Sequence, residues 1–194
     1  MPDKNLKVLD FNDKNISEEV FFKNIYLENY PSLIVFAKGY VKQIPIAEDL
    51  VEDVFVKLWK NRQVISTIQN LKVYLFIAVK NTCFNYLVKL KKYNIQSIDD
   101  LDIDFEQITA TAEGKIISSE RVELINNEIN KLPKKCKAIF ILIKEEGLKY
   151  TEVAQLLNLS IKTVETQMSI AFKRLSQALA SEFPEKFDNN SKQI

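Results

Sequence analysis

GLKYTEVAQLLNLSIKTVETQMSIAFKRLSQAL, residues 147–179, carries two helical patterns separated by a four-residue turn. Tyr150 or Thr151 begins a short helix in which Val153, Ala154 and Leu157 face inward. Ala154 is small, so a second helix can cross it closely. The turn is Leu157-Asn158-Leu159-Ser160. Asn158 suits the left-handed conformation that glycine often supplies. Leu159 buries the turn, Ser160 caps the second helix, and Val164 packs back on the first. Lys162, Thr163, Glu165, Thr166 and Gln167 are left on the early, solvent-facing turns. That is where a recognition helix meets base edges. Lys173 and Arg174, two to three turns later, suit phosphates. The spacing predicts a helix-turn-helix that reads duplex DNA. A helical hairpin of the same spacing is the competing reading.

Upstream of it, a helix over about 133–146 ends at Gly147, a fitting C-terminal cap. Before that, Ser118 or Ser119 is the candidate N-cap of a helix reaching about Lys131 and stopping short of Pro133. Still earlier, SIDDLDIDFEQITATAEG holds six carboxylates and reads as a flexible acidic linker. Such a linker has the charge to pair with Lys89, Lys91 and Lys92. The expected organisation is a helical module over 17–92, a linker over 93–118 and a second helical module over 119–181. The first 15 or so residues and the polar tail SEFPEKFDNNSKQI read as loose ends.

The first module divides into three helices. Ser17 is a candidate N-cap, with Glu18 and Glu19 in the first turn of a helix to about Val41 that Pro31 should kink or divide. Pro45 opens a second helix to about Lys60, with Ala47, Leu50, Val51, Val54 and Leu58 at helical spacing. Residues 61–70 read as a loop. A third helix, over about 71–92, is apolar almost all round until a basic end, so much of it should be buried.

Composition narrows the function. The 194-residue chain has 3 Gly and no His. Few glycines disfavour a phosphate-cradling α/β domain. The missing imidazole removes the commonest general base and metal ligand. Cys83 and Cys136 are isolated in apolar helical contexts, which argues for two buried thiols rather than a zinc site or disulfide. No catalytic residue, metal site or cofactor is expected. Neither a signal-peptide pattern nor a membrane-spanning run is present, so a soluble cytoplasmic protein without membrane insertion is expected. Net charge is only +1, so local charge must carry any nucleic-acid argument.

Two segments supply that local charge. AEDLVEDVFVKLW, residues 47–59, puts Glu48, Asp49, Glu52 and Asp53 on one side of an amphipathic helix. It reads either as a solvated face or as a docking surface for a basic partner helix. LKVYLFIAVKNTCFNYLVKLKK, residues 71–92, has five lysines and no acid. Asn81, Asn85, Lys89 and Lys92 form one stripe on it. Amides beside lysines and aromatics suit unstacked nucleic acid. A core helix whose basic end complements its dipole explains the same segment.

In order, YLENYPSLIVFAKGYV, AEDLVEDVFVKLW, NLKVYLFIAVKNTCFNYLVK, a linker and LPKKCKAIFILIKEEGLKYTEVAQLLNLSIKTVETQMSIAFKRL resemble the RNA polymerase sigma-70 superfamily. Within it they resemble the compact extracytoplasmic-function (ECF) class. The resemblance covers nearly all of 17–179, and KTVETQMSIAFKRL further resembles the Bacteroidetes branch. It implies an all-α chain: a region 2 bundle and a region 4 helix-turn-helix joined by the acidic linker. It implies core RNA polymerase as a partner, through the β′ clamp helices and the β flap, together with promoter DNA and a membrane-bound anti-sigma factor. Carried over, Asp49, Glu52 and Asp53 contact the clamp helices, with Leu50 and Val54 as packing support. Asn81 and Asn85 lie near the −10 strand, Lys80, Lys89, Lys91 and Lys92 are phosphate candidates, and the 61–69 loop resembles a base pocket. Ser160, Lys162, Thr163, Glu165, Thr166, Gln167, Lys173 and Arg174 face the −35 element. Relatives often place arginines there, whereas residues 160–177 net only +2. A guanine-rich −35 code is therefore not expected.

The competing function is a helix-turn-helix regulator with an N-terminal helical dimerisation or sensor domain. The acidic helix and the Asn/Lys stripe separate the two, because such a regulator needs neither.

Overall fold

A computed structural model describes residues 17–90 and 120–182. The expected linker, the Ser118/Ser119 cap, Lys91 and Lys92 lie outside the described residues. Within them the chain is helical throughout: α1 (Glu18–Val41), α2 (Ile44–Lys60), a 3-10 helix (Arg62–Thr67), α3 (Leu71–Lys89), α4 (Glu120–Asn130), α5 (Lys134–Lys144), α6 (Tyr150–Leu157) and α7 (Ile161–Glu182).

Ser17 caps α1, its Oγ accepting from the Val20 N–H at 3.3 Å. The helix continues through Pro31, which was expected to kink or divide it. Proline here removes one bond, to the Leu27 carbonyl. Pro31 and Leu27 are both exposed, so water can take that carbonyl. Leu33, Phe36, Ala37 and Tyr40 are buried just beyond and hold the axis. The expected loop at 61–70 is also different, being largely the 3-10 helix, with Val64 N–H to Asn61 O and Ile68 N–H to Ile65 O. Only Ile65 in it is buried, so the sequence shows no period there.

Helices α1, α2 and α3 pack on one another, and α7 is the spine on which α4, α5 and α6 rest. Leu33, Val51, Leu75 and Val79 fill the first core; Ile139, Val153, Leu156 and Val164 fill the second, all of them fully buried. Each such side chain contributes about 1.5–3 kcal/mol relative to exposure. The two cores join in one cluster, because α3 also packs on α6. This explains why the apolar side of α3 is broad. Its buried positions, Val73, Leu75, Phe76, Val79, Lys80, Cys83 and Leu87, cover one broad side of the helix, opposite the exposed Asn81, Asn85 and Lys89.

Cys83 and Cys136 are free and buried. Burial pushes the Cys83 thiol up to about 12. Burial raises Cys136 as well, with Arg174 partly offsetting it. Among the described residues, no helix is long and apolar enough to cross a membrane.

Candidate functional site

The helix-turn-helix is built by local capping. Gly147 takes a left-handed φ of 73°, and the Leu148 N–H reaches back to the Leu142 carbonyl at 3.0 Å, closing the end of α5. Glu152 Oε2 accepts from the Lys149 N–H at 2.7 Å and starts α6. Asn158 is left-handed, at φ 55° and ψ 46°, and the Leu159 N–H bonds the Ala154 carbonyl at 2.8 Å. Ser160 Oγ accepts from the Thr163 N–H at 3.0 Å and starts α7. Val164 and Ala154 are buried where the helices cross. Asn158→Gly should leave stability within a few tenths of a kcal/mol, whereas Asn158→Val should cost at least about 1–2 kcal/mol. Thermal unfolding of the two variants checks this.

This geometry sorts the expected −35 residues. Lys162, Glu165, Thr166 and Lys173 are exposed, and helical spacing puts them on one outer side of α7. Ser160 and Thr163 are engaged with each other, their hydroxyls 2.8 Å apart. Their first task is therefore to hold the helix start. Gln167 is half-buried, and its carbonyl accepts from the Cys136 thiol at 3.2 Å. Arg174 is exposed but turned toward a groove between α4 and α7, lined also by Glu128, Lys131, Gln177 and Ser181.

On α3, Asn81, Asn85 and Lys89 are exposed in one row. Lys80, expected as a phosphate contact, lies elsewhere. It is 7% exposed, and its Nζ donates to the Leu156 carbonyl of α6 at 2.8 Å.

On α2, Asp49, Glu52, Asp53 and Val56 form an exposed strip, while Leu50 and Val54 are buried beneath it. Behind the strip stands an aromatic layer that the sequence reading did not single out. Phe22 meets Phe55 and Trp59 edge-on, and Tyr26 stacks on Tyr30. The i, i+4, i+8 spacing of Phe22, Tyr26 and Tyr30 is the signal for it. Tyr30 Oη donates to Glu52 Oε1 at 3.3 Å. Desolvation, a bond with Tyr26 and the nearby Glu52 and Glu48 push its phenol well above the ordinary range, so it remains a donor. Arg62 sits over the Trp59 ring and pairs with Glu18 at 2.7 Å, tying the 3-10 helix to α1 and α2.

Two known family models match the chain. Residues 25–93 match the model of sigma-70 region 2, and residues 123–175 match that of sigma-70 region 4. The chain belongs to the sigma-70 family. Region 2 thus takes in α2, α3 and most of α1, and region 4 takes in the helix-turn-helix. The chain is 27% identical over 146 residues to the RNA polymerase sigma factor SigV of Bacillus subtilis (strain 168), covering 75% of this chain and 83% of that protein. It is 23% identical over 157 residues to the ECF RNA polymerase sigma factor EcfG of Rhodopseudomonas palustris (strain TIE-1), covering 81% and 84%. Its fold is similar to that of the sigma factor RpoE in complex with the anti-sigma factor NepR from Bartonella quintana. That likeness has a TM-score of 0.51 at 24% identity, over 82% of this chain and 96% of that one.

Proposed function

We propose that this sigma-70 family chain is an ECF-type RNA polymerase sigma factor that loads onto core polymerase through α2, opens the −10 element with α3 and reads the −35 element with α7. Asp49, Glu52 and Asp53 face a basic surface of the polymerase clamp, and Leu50 and Val54 set the strip from below. Asn81 and Asn85 take exposed base edges, and Lys89 holds phosphates. Lys162, Glu165, Thr166 and Lys173 face the duplex. Nothing in this requires covalent chemistry. Capturing an unstacked base lowers the free energy of the melted state, offsetting an unstacking cost of a few kcal/mol. The protein acts in the cytoplasm, where an anti-sigma factor, tethered to the membrane, restrains it.

The observation that carries this reading is one three-helix unit exposing two unlike surfaces: the acidic strip of α2 and the Asn81–Asn85–Lys89 row of α3. A regulator that binds duplex DNA by itself has use for neither. The outer side of α7 offers only Lys162 and Lys173 against Glu165, so alone it binds weakly and with salt sensitivity. Footprinting at physiological salt separates the two functions. Protection of promoter DNA should need core polymerase; protection by the chain alone would favour the dimeric regulator.

A further inference from the structure

The early turns of α7 carry more hydroxyls than they offer. Thr166 Oγ1 donates to the Lys162 carbonyl at 2.8 Å, and Ser169 Oγ donates to the Glu165 carbonyl at 2.9 Å. The Ser160 and Thr163 hydroxyls lie 2.8 Å apart, and Ser160 Oγ also takes the Thr163 N–H. A hydroxyl bonded back to its own helix is committed to that helix. What Thr166 then presents outward is its methyl group. Two larger apolar groups stand on the same stretch. Ile161, the first residue of α7, is 46% exposed, and Ile170, one turn beyond Thr166, is 36% exposed. Neither belongs to the core cluster or to the partly buried layer packed on it. Nor does Ile161 start the helix, since Ser160 does that.

We propose that α7 reads thymine C5-methyl groups in the major groove, through the Thr166 methyl and the Ile161 side chain. The inference rests on the proposed role of α7 at the −35 element and names the base chemistry selected there.

The side chains that most often read bases by hydrogen bonds are arginine or lysine on guanine and asparagine or glutamine on adenine. Here Arg174 is turned toward the groove beside α4, and Gln167 is half-buried. Residues 161–170 hold no other arginine or amide. Lys162 stands one turn before Thr166 and Lys173 two turns after it, on the same side, where both suit phosphates. A recognition helix meets base edges with its N-terminal residues, which puts Ile161 and Thr166 within reach of them. Thymine is marked in this groove by its C5-methyl, and the partner that suits it is apolar. Each methyl group taken out of water contributes about fourfold in affinity. Single exposed isoleucines are ordinary on a protein surface. These stand on the element proposed to meet bases, which offers methyl groups where donors are usual.

The test uses the full chain with core polymerase and a duplex pool randomised across the −35 region. Sequencing the bound fraction gives the preferred element. Each thymine in it, on either strand, is then replaced by uracil, which pairs alike and lacks only the methyl. At one or two positions the wild-type complex should lose about fourfold in affinity. Thr166→Ser makes the matching deletion in the protein and keeps the hydroxyl that bonds Lys162. It should lose about fourfold on the thymine duplex, and nothing further when uracil stands at the position it reads. Ile161→Ala should show the same dependence at another position. Lys162→Ala should weaken thymine and uracil duplexes equally. A purely structural role for Thr166 makes its loss independent of the base, so additivity at every position would overturn the proposal. A preferred element with no thymine on either strand, or affinity unmoved by every uracil, would do the same. Those failures leave core-dependent duplex binding intact. A chain that adds no duplex binding to core enzyme would instead remove the sigma-factor reading, and this proposal with it.

Discussion

Asp49→Lys with Asp53→Lys is expected to abolish binding to core polymerase while leaving the fold intact. Both carboxylates are exposed, and among the described residues neither is held by a hydrogen bond or ion pair. Surface changes of this kind usually alter stability by no more than about 0.5 kcal/mol. Circular dichroism and the unfolding midpoint should therefore barely move. The binding effect is large because attraction to a basic surface becomes repulsion at two adjacent points. Like charges set against each other across an interface cost several kcal/mol, which corresponds to a loss of ~100-fold or more. Leu50 and Val54 are unsuitable for the same test, since charging a buried position unfolds the bundle. Glu52 should show a smaller effect than the pair, being tied to Tyr30. Titration of labelled chain with core enzyme measures this directly. Wild-type affinity in the double variant would remove α2 from the docking surface.

The second large effect is expected from Asn81→Ala with Asn85→Ala. These amides are exposed, so they leave no buried group unpaired when removed. Each hydrogen bond to a base edge is worth about 1 kcal/mol, or somewhat more where the strand displaces water. Together they should lower open-complex formation on duplex promoter by roughly 10- to 100-fold. On a template whose −10 region is already mismatched and open, the unstacking cost is gone and the loss should shrink. Equal losses on both templates would make the amides simple affinity contacts. No loss on duplex would take them out of melting altogether.

The sequence shows local features of this fold well. Val153, Ala154, Asn158, Ser160 and Val164 act through neighbours a few residues away, and each stands where its spacing places it. Helix α2 was equally legible, because Leu50, Val51, Val54 and Leu58 bury one side and leave the acids on the other. What depends on distant chain was not. Pro31 is tolerated because its own side of α1 faces solvent, and proline chemistry alone cannot report that. The Arg62–Thr67 helix is tied to α1 by the Arg62–Glu18 pair, across 44 positions of sequence that no local pattern spans. For α3 the reading was half right. Its all-round apolarity announces a second covering layer, but not that α6 supplies the cover. Lys80 therefore read as a surface cation, when its ammonium is buried against the Leu156 carbonyl of α6.

The most direct test of the account is run-off transcription from genomic fragments with purified core polymerase and the full chain. The account requires discrete transcripts that appear only when both are present, and that vanish with Asp49→Lys and Asp53→Lys. A transcript pattern identical to that of core enzyme alone would contradict it.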